Sequence, residues 1–380
     1  MKNILFIHQS AELYGSDKTL LLLIKHLDKT KYQAVVILPN EGELKIELEK
    51  EKIKVFITPV LKLYRKMFTP KNIFLFVKNI KIAFEELDVL NKEYKFDLVY
   101  SNTLAVLLGF FYARKRNIKH LWHVHEIIEK PVVFSIVFRK LLKLKSNTLV
   151  VYNSIATQDF WRINKNSKVI WNGLEIPQTI PYIEINQIRQ TIFSANDSKI
   201  IIALVGRISS WKGQQLLLRS FFSLAKDNKN ILLTFVGSPP PNQELFLNEL
   251  RNSISDFKIE NQVIIVPFYQ EISKIWQSID IAVVPSIEPE PFGLVAAEAM
   301  LAKKPVIAAN HGGLKEIVTH NETGFLVKPN DEVALAEALK KLIINPQLRS
   351  DFGNAGYETA LSKFTIEKHV NGFETIFSKL

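Results

Sequence analysis

No cysteine occurs among the 380 residues, which excludes disulfides and thiolate metal sites and fits a reducing compartment. No apolar run approaches the roughly 20 residues that a membrane-spanning helix needs. The opening MKNILFIHQS runs straight into a strand pattern and carries no signal peptide. The expected location is cytoplasmic, with attachment to the inner face of the cytoplasmic membrane left open. No GxGxxG fingerprint follows a strand, so a dinucleotide site is unsupported. No Asp-x-Asp pair is present to hold a divalent cation. Neither a cofactor nor a metal is expected.

What is present is an ordinary globular composition, 47% apolar and 23% charged, in a chain longer than one sheet-based core usually holds. Two domains are the first expectation. The net charge of +11 is uneven: residues 1–175 hold 29 Lys and Arg against 17 Asp and Glu, and the remainder holds 20 against 21. The densest basic segments are Lys62-Arg65-Lys66-Lys71-Lys78-Lys81, Arg114-Lys115-Arg116-Lys119 and Arg139-Lys140-Lys143-Lys145, each interleaved with Leu, Phe, Ile or Val. Such segments suit an anionic lipid surface at about 1 kcal/mol per basic side chain; a solvated basic face is the alternative. No recognition-module signature accompanies the charge, so nucleic acid is not an expected partner.

The first half alternates apolar strands, near Ile4, Ala34, Val55, Leu98, His120 and Thr148, with amphipathic stretches, which predicts a mostly parallel doubly wound sheet. After the first strand, Gly15 lets the backbone approach a ligand and Ser16 is placed to cap the following helix. His123 and His125 share one strand face in WHVHE. They are packing histidines or site residues; with Glu126 they make only a weak zinc pattern, and the glutamate is a candidate to orient an imidazole.

From Trp171-Asn172-Gly173 the pattern changes. IPQTIP (Ile176 to Pro181) and a polar stretch to Ser198 read as a linker, and a buried strand restarts at Lys199. Arg207 and Lys212 then stand five residues apart on a strand-to-helix loop, either solvated or aimed at one polyanion such as a diphosphate. Further on, PSIEPEPFGLVAAEAM carries Glu290 and Glu298 around a helix start at Gly293, with Gly312 and Gly313 after the next strand. Two acceptor-only carboxylates beside a helix N-terminus suit a ligand with hydroxyls, such as a sugar and a ribose, and a phosphate. An E-x7-E spacing alone is common by chance.

LYGSDKTL, VIWNGLE, VGRISSWKG (Val205 to Gly213), EPFGLVAAEAM (Glu290 to Met300), PVIAANHGGLKEIV and NETGFLV occur in this order, and together they resemble the retaining nucleotide-sugar glycosyltransferases of family 4. That resemblance implies an α/β GT-B fold, two Rossmann-like doubly wound domains facing across a cleft. Residues 1–175 would form the acceptor-side domain, 176–364 the nucleotide-sugar-binding domain, and 365–380 a helix crossing back to the first. It implies that Arg207 and Lys212 bind the donor diphosphate, that Glu290 holds the transferred sugar and Glu298 the ribose, and that backbone amides of Phe292, Gly293 and Leu294 contact sugar and phosphate. His125 would lie near the reacting carbon, making His125 and Glu290 the catalytic candidates, and Gly15 would lie on the loop over donor and acceptor. The chain departs from the family where only Gly15 stands in place of a glycine pair, and where Pro267-Phe268-Tyr269 replaces a usual glycine in the base-binding loop. The implied activity is hexosyl transfer to a glycan or lipid-linked acceptor in cell-surface polysaccharide or glycolipid synthesis. A sugar-nucleotide epimerase, a sugar-phosphate synthase and a non-catalytic binding subunit are the alternatives.

Overall fold

The structure, a computed structural model, describes residues 1–61, 70–163 and 165–380. Of the first basic segment, Lys62, Arg65 and Lys66 lie outside the described residues, as does the side chain of Lys71. The chain separates into two compact units, Met1–Leu174 with Thr365–Leu380, and Glu175–Phe364.

In chain order the first unit runs β1 (Lys2–Ile7), α1 (Gly15–His26), β2 (Tyr32–Leu38), α2 (Glu43–Lys50), β3 (Lys54–Ile57), α3 (Pro70–Tyr94), β4 (Leu98–Asn102), α4 (Leu108–Arg116), β5 (Lys119–Val124), α5 (Val132–Leu142), β6 (Leu149–Tyr152), α6 (Ile155–Trp161) and β7 (Ser167–Val169). The second runs α7 (Tyr182–Thr191), β8 (Ile200–Val205), α8 (Gln214–Ala225), β9 (Ile231–Val236), α9 (Leu245–Asp256), β10 (Val263–Val266), α10 (Ile272–Ser278), β11 (Ile281–Val284), α11 (Leu294–Leu301), β12 (Val306–Ala309), α12 (Leu314–Ile317), β13 (Gly324–Val327), α13 (Glu332–Ile344) and α14 (Pro346–Lys363). The last helix, α15 (Ile366–Lys379), belongs to the first unit.

Among the described residues each unit holds one sheet. Its order is β3-β2-β1-β4-β5-β6-β7 in the first unit and β10-β9-β8-β11-β12-β13 in the second, and the paired strands are parallel. Strands covered on both faces read as unbroken apolar runs, and Ile201–Val205 is buried throughout. In both sheets the winding direction reverses between two neighbouring strands, β1 and β4 in the first and β8 and β11 in the second. Ligands of open α/β sheets sit beyond the carboxyl ends of the strands at such reversals.

Helix α15 completes the first unit through a stripe at helical spacing, Val370, Phe373, Ile376 and Phe377, all buried. Phe377 packs edge-on against Tyr32 at 5.7 Å between ring centres, and Phe373 lies 5.7 Å from Tyr100. The helix is pinned by Ile366 N donating to Leu174 O at 2.8 Å and by Lys2 Nζ donating to Phe377 O at 2.7 Å.

Two local expectations are corrected, and one strand went unread. Ser16 is not the cap of α1: the extended Tyr14 is, and Asp17 reaches back to accept from Tyr14 N at 2.9 Å, as a short acidic side chain three residues into a helix can. The segment read as polar linker contains α7, whose buried Arg189 donates to Ser278 O, Lys199 O and Asp280. Pro181 at its N-cap starts that helix rather than interrupting it. Strand β7 carries no signal in the sequence, since it is three residues long and half exposed at the sheet edge.

Candidate functional site

In the second unit the sequence-marked residues gather beyond the ends of β8 and β11. Arg207 follows β8 by two residues and is exposed. Lys212, at the end of the same loop, reaches Glu290 after β11: its Nζ donates to Glu290 Oε1 at 2.5 Å, with 15% of the lysine side chain and 7% of the glutamate side chain exposed. Ser286 Oγ donates to the same oxygen at 2.6 Å. The Lys212 ammonium also lies over the Trp211 ring, 4.3 Å from its centre. Glu290 Oε2 makes none of these bonds.

The two loops approach so closely because glycine stands at the contacts. Gly213 has φ +81°, and a Cβ there would sit 2.2 Å from Pro285 O. Gly312, at φ +56°, would place one 2.3 Å from Glu290 O. Ile287 N donates to Trp211 O at 2.7 Å, Gly313 N to Glu290 O at 2.8 Å, and His311 Nε2 to Ser286 O at 2.8 Å. The loop that carries Glu290 is thus held from both sides, at Ser286 and Ile287 as well as at Glu290 itself.

Gly293, with φ +106°, is the N-cap of α11, whose first turn opens at Leu294. First-turn amides have no partner within a helix and bear its positive dipole end. Phe292 is turned inward, edge-on to Phe364 at 5.5 Å between ring centres, so only its backbone can face a ligand. Glu298 lies one turn along α11, half-buried, with Oε2 accepting from Trp276 Nε1 at 3.1 Å. Phe268, after β10, is half exposed.

The first unit brings a second group together beyond β1, β4 and β5. Gly15 is exposed at the first position of α1. His125, directly after β5 and 8% exposed, shares Nε2 between Asn102 Oδ1 at 2.9 Å and His123 Nδ1 at 3.1 Å. Asn102 Nδ2 lies 2.9 Å from His8 Nδ1, and His8 Nε2 is bonded to Asp17 Oδ1. Tyr100 OH is hydrogen-bonded to His123 Nδ1 at 2.5 Å, and His369 of α15 lies 6.2 Å from the His123 ring. Sequence reasoning singled out His123 and His125; Asn102 and His369 escaped it because their partners are distant in the chain, and His8 and Asp17 because their pairing across the β1 loop follows no recognised spacing.

Glu126 does not orient an imidazole. Both its oxygens accept from Leu104 N, at 3.2 and 3.1 Å, and Oε2 from His125 N at 3.0 Å. It therefore fixes backbone. Among the described residues no three His, Asp or Glu side chains are placed to hold a metal ion.

Burial sets the electrostatics of this group. It pushes His125 down to about 3, with His8 and His369 adding repulsion, and takes His369 and His120 down to about 4. His123 falls well below its usual value for the same reason. Burial drives Glu126 up to about 7 against the backbone donors that favour its charge.

Comparison with known proteins follows the same geography. Residues 186–359, most of the second unit, match the family described as glycosyl transferases group 1. An uncharacterized glycosyltransferase of Methanocaldococcus jannaschii is 26% identical over 94% of this chain and 92% of its own length. The capsular polysaccharide biosynthesis glycosyltransferase CapM of Staphylococcus aureus is 29% identical over 51% of this chain, which spans about half, 49%, of that relative. The crystal structure of Anabaena HepE in complex with UDP-glucose superposes with a TM-score of 0.87 at 27% identity, covering 100% of both chains. Together these matches support a glycosyltransferase of the GT-B fold.

The buried histidines and Glu126 predict opposite acid responses. Neutral histidines contribute stability that is complete above their ordinary 6.5 and is lost as pH falls toward about 3 to 4. Glu126 works the other way, stability falling as pH rises from its ordinary 4.5 to about 7. Thermal melts across this range should show a melting temperature that falls on acidification, and more steeply in Glu126→Gln, where the opposing slope is gone. A flat profile in both proteins contradicts the assignment.

Proposed function

We propose that this chain transfers a hexosyl group from a nucleotide sugar to a glycan or lipid-linked acceptor, with retention of anomeric configuration and without a metal ion, in the synthesis of a cell-surface polysaccharide or glycolipid. The observation that carries the reading is the convergence of Arg207, Lys212, Glu290 and the first turn of α11 at the strand-order reversal of the second sheet. As the bond from the anomeric carbon to the donor phosphate breaks, negative charge accumulates on the leaving nucleoside diphosphate. Arg207 supplies a two-pronged donor and Lys212 a compact one whose remaining protons are not spent on Glu290. The α11 amides and dipole add fixed positive potential. These groups supply the charge stabilisation for which a metal is otherwise recruited.

Glu290 Oε2 is assigned to hydroxyls of the transferred sugar, and Glu298 Oε1 to the ribose, its other oxygen being held by Trp276. Backbone amides of Phe292, Gly293 and Leu294 serve sugar and phosphate, Gly15 the loop beside the substrates, and His125 the reacting sugar. Retention, and the role of His125, rest on the resemblance of the ordered motifs. UDP-glucose in the similar Anabaena protein supports a nucleotide sugar as donor, and the capsular polysaccharide role of the Staphylococcus relative supports a surface glycan as product.

We further assign the first unit to the inner surface of an anionic membrane. Helix α5 exposes Val132, Val133, Ile136 and Val137, the first two at 61%, beside exposed Lys140, Lys143 and Lys145. An apolar row flanked by cations suits the headgroup boundary of such a bilayer. The basic segment on α4 is partly committed elsewhere, since Arg116 is paired with Asp88 and Lys115 lies over the Phe84 ring.

A thermal-shift screen across nucleotide sugars should find a donor that raises the melting temperature, about 2.7 kcal/mol of stabilisation at one hundred times its dissociation constant. Arg207→Ala should abolish that shift, and Glu290→Ala and His125→Ala should lose transfer; full activity in all three variants overturns the reading. Product analysis with donor alone, or with a sugar phosphate, separates an epimerase or a sugar-phosphate synthase. In flotation assays the protein should rise with anionic vesicles and not with neutral ones, and equal flotation removes the membrane assignment.

A further inference from the structure

The polar chain beneath His125 is directional, and its direction can be read from one backbone atom. Asn102 Nδ2 lies 3.3 Å from Ser16 O as well as 2.9 Å from His8 Nδ1. A carbonyl oxygen only accepts, so this edge of the amide is the NH2 and Asn102 Oδ1 is the edge that faces His125. An amide oxygen only accepts too, and the His125 nitrogen 2.9 Å from it, Nε2, must carry the proton. On the other side His8 Nδ1 receives from Asn102, so His8 bears its proton on Nε2, where the Asp17 carboxylate accepts it. Asp17 is held in turn by Ser10 Oγ at 2.5 Å and by Tyr14 N. His123 is compatible with this pattern: its Nδ1 lies 2.5 Å from Tyr100 OH and 3.1 Å from His125 Nε2, and its single lone pair there takes the nearer hydroxyl proton while the His125 proton goes to Asn102 Oδ1.

We propose that Asp17, His8 and Asn102 are positioning residues that lock the His125 ring in its Nε2-protonated tautomer, so that Nδ1 presents a lone pair to a hydroxyl of the substrate. None of the three needs to touch substrate. The relay spans the reversal point of the first sheet: His8 follows β1, Asn102 ends β4, and His125 follows β5. His8, Asn102 and Asp17 are almost wholly buried, which removes water as an alternative partner able to scramble the ring. A polar group kept in such a place without solvent is satisfied only by partners of the right sense, and each link here has one.

Protonating His125 would turn Nδ1 from acceptor to donor and destroy the arrangement. The groups that face the ring or adjoin it are His8 and Asp17 from the β1 loop and α1, Tyr100 and Asn102 from β4, His123 and Glu126 from β5 and its exit, and His369 from α15. Burial and the neighbouring histidines favour the neutral ring. Replacing Asn102 with a carboxylate would reverse that balance, because a nearby anion stabilises imidazolium by about one pH unit or more.

The hydroxyl partner rests on the transferase reading, whereas the tautomer does not, and the experiment separates them. In full-length protein labelled with 15N-histidine, two-bond proton-nitrogen spectra assigned with His125→Gln should show a protonated, pyrrole-like Nε2 and a pyridine-like Nδ1 for His125. A protonated Nδ1 with a bare Nε2 overturns the proposal whether or not any transfer has been detected. In Asn102→Asp the same spectra should show His125 gaining its second proton at a pH about one unit or more above that of the natural protein. With an active donor in hand, the acid limb of kcat should move up by the same amount, while KM for the donor stays within about twofold, a change below 0.5 kcal/mol. An unmoved acid limb in a folded Asn102→Asp protein also overturns it. If that variant fails to fold, His8→Gln replaces it: an amide can keep both hydrogen bonds or reverse them, and a His125 tautomer indifferent to His8 and to Asn102→Ala contradicts the relay.

Discussion

The ion pair between Lys212 and Glu290 is the constraint on which the second unit's site depends. Its members are 78 residues apart in sequence and nearly enclosed. Removing one partner from a buried pair leaves an uncompensated charge, at a cost of about 3–5 kcal/mol. Everything near it serves to keep the two side chains within a hydrogen bond. Gly213 allows the β8 loop to lie on Pro285, Gly312 allows the β12 loop to lie on Glu290 itself, and Ser286 fixes the carboxylate oxygen that the lysine holds. Such backbone-to-backbone packing leaves little freedom for the loops to relax. The price of that rigidity is the loss of side chains at each contact, and its return is a cation and a carboxylate fixed side by side, the arrangement on which the proposed donor site rests.

The first unit solves a related problem without a cation. His123, His125 and His369 are buried and pushed toward the neutral form, and the carboxylate in their chain of bonds, Asp17, is tied at the first turn of α1. Helix α15 closes over this group with His369 and Phe373, and its own start is tied to Leu174. Integrity of the polar chain therefore depends on a helix contributed from the far end of the sequence.

Much of this was legible in the residues. Parallel strands buried on both faces leave unbroken apolar runs, and most strands were readable for that reason. Arg207, Lys212, Glu290 and Glu298 stood out because they lie on the loops and the helix start that follow such runs, where α/β sheets bind ligands, and within motifs that resemble a known family. Other features had no local signal. Strand β7 is too short and too exposed to show a period, and α7 begins at a proline in a polar stretch that resembles a linker. The Lys212–Glu290 pair and the His8–Asn102–His125 relay join positions far apart in the chain, so no spacing rule could predict them. Glu126 misled because its neighbour in sequence is His125, while its carboxylate is spent on the amides of Leu104 and His125.

The central claim is that Lys212 and Glu290 act as one unit in holding the donor. A double-mutant cycle with Lys212→Met, Glu290→Gln and the double variant, read by calorimetric titration with the nucleoside diphosphate of the identified donor, tests it most directly. The account predicts that Lys212→Met weakens binding at least about tenfold and that the two substitutions are coupled by about 1 kcal/mol or more. Strictly additive effects, or a Lys212→Met protein that binds the diphosphate as tightly as the natural chain, would contradict it.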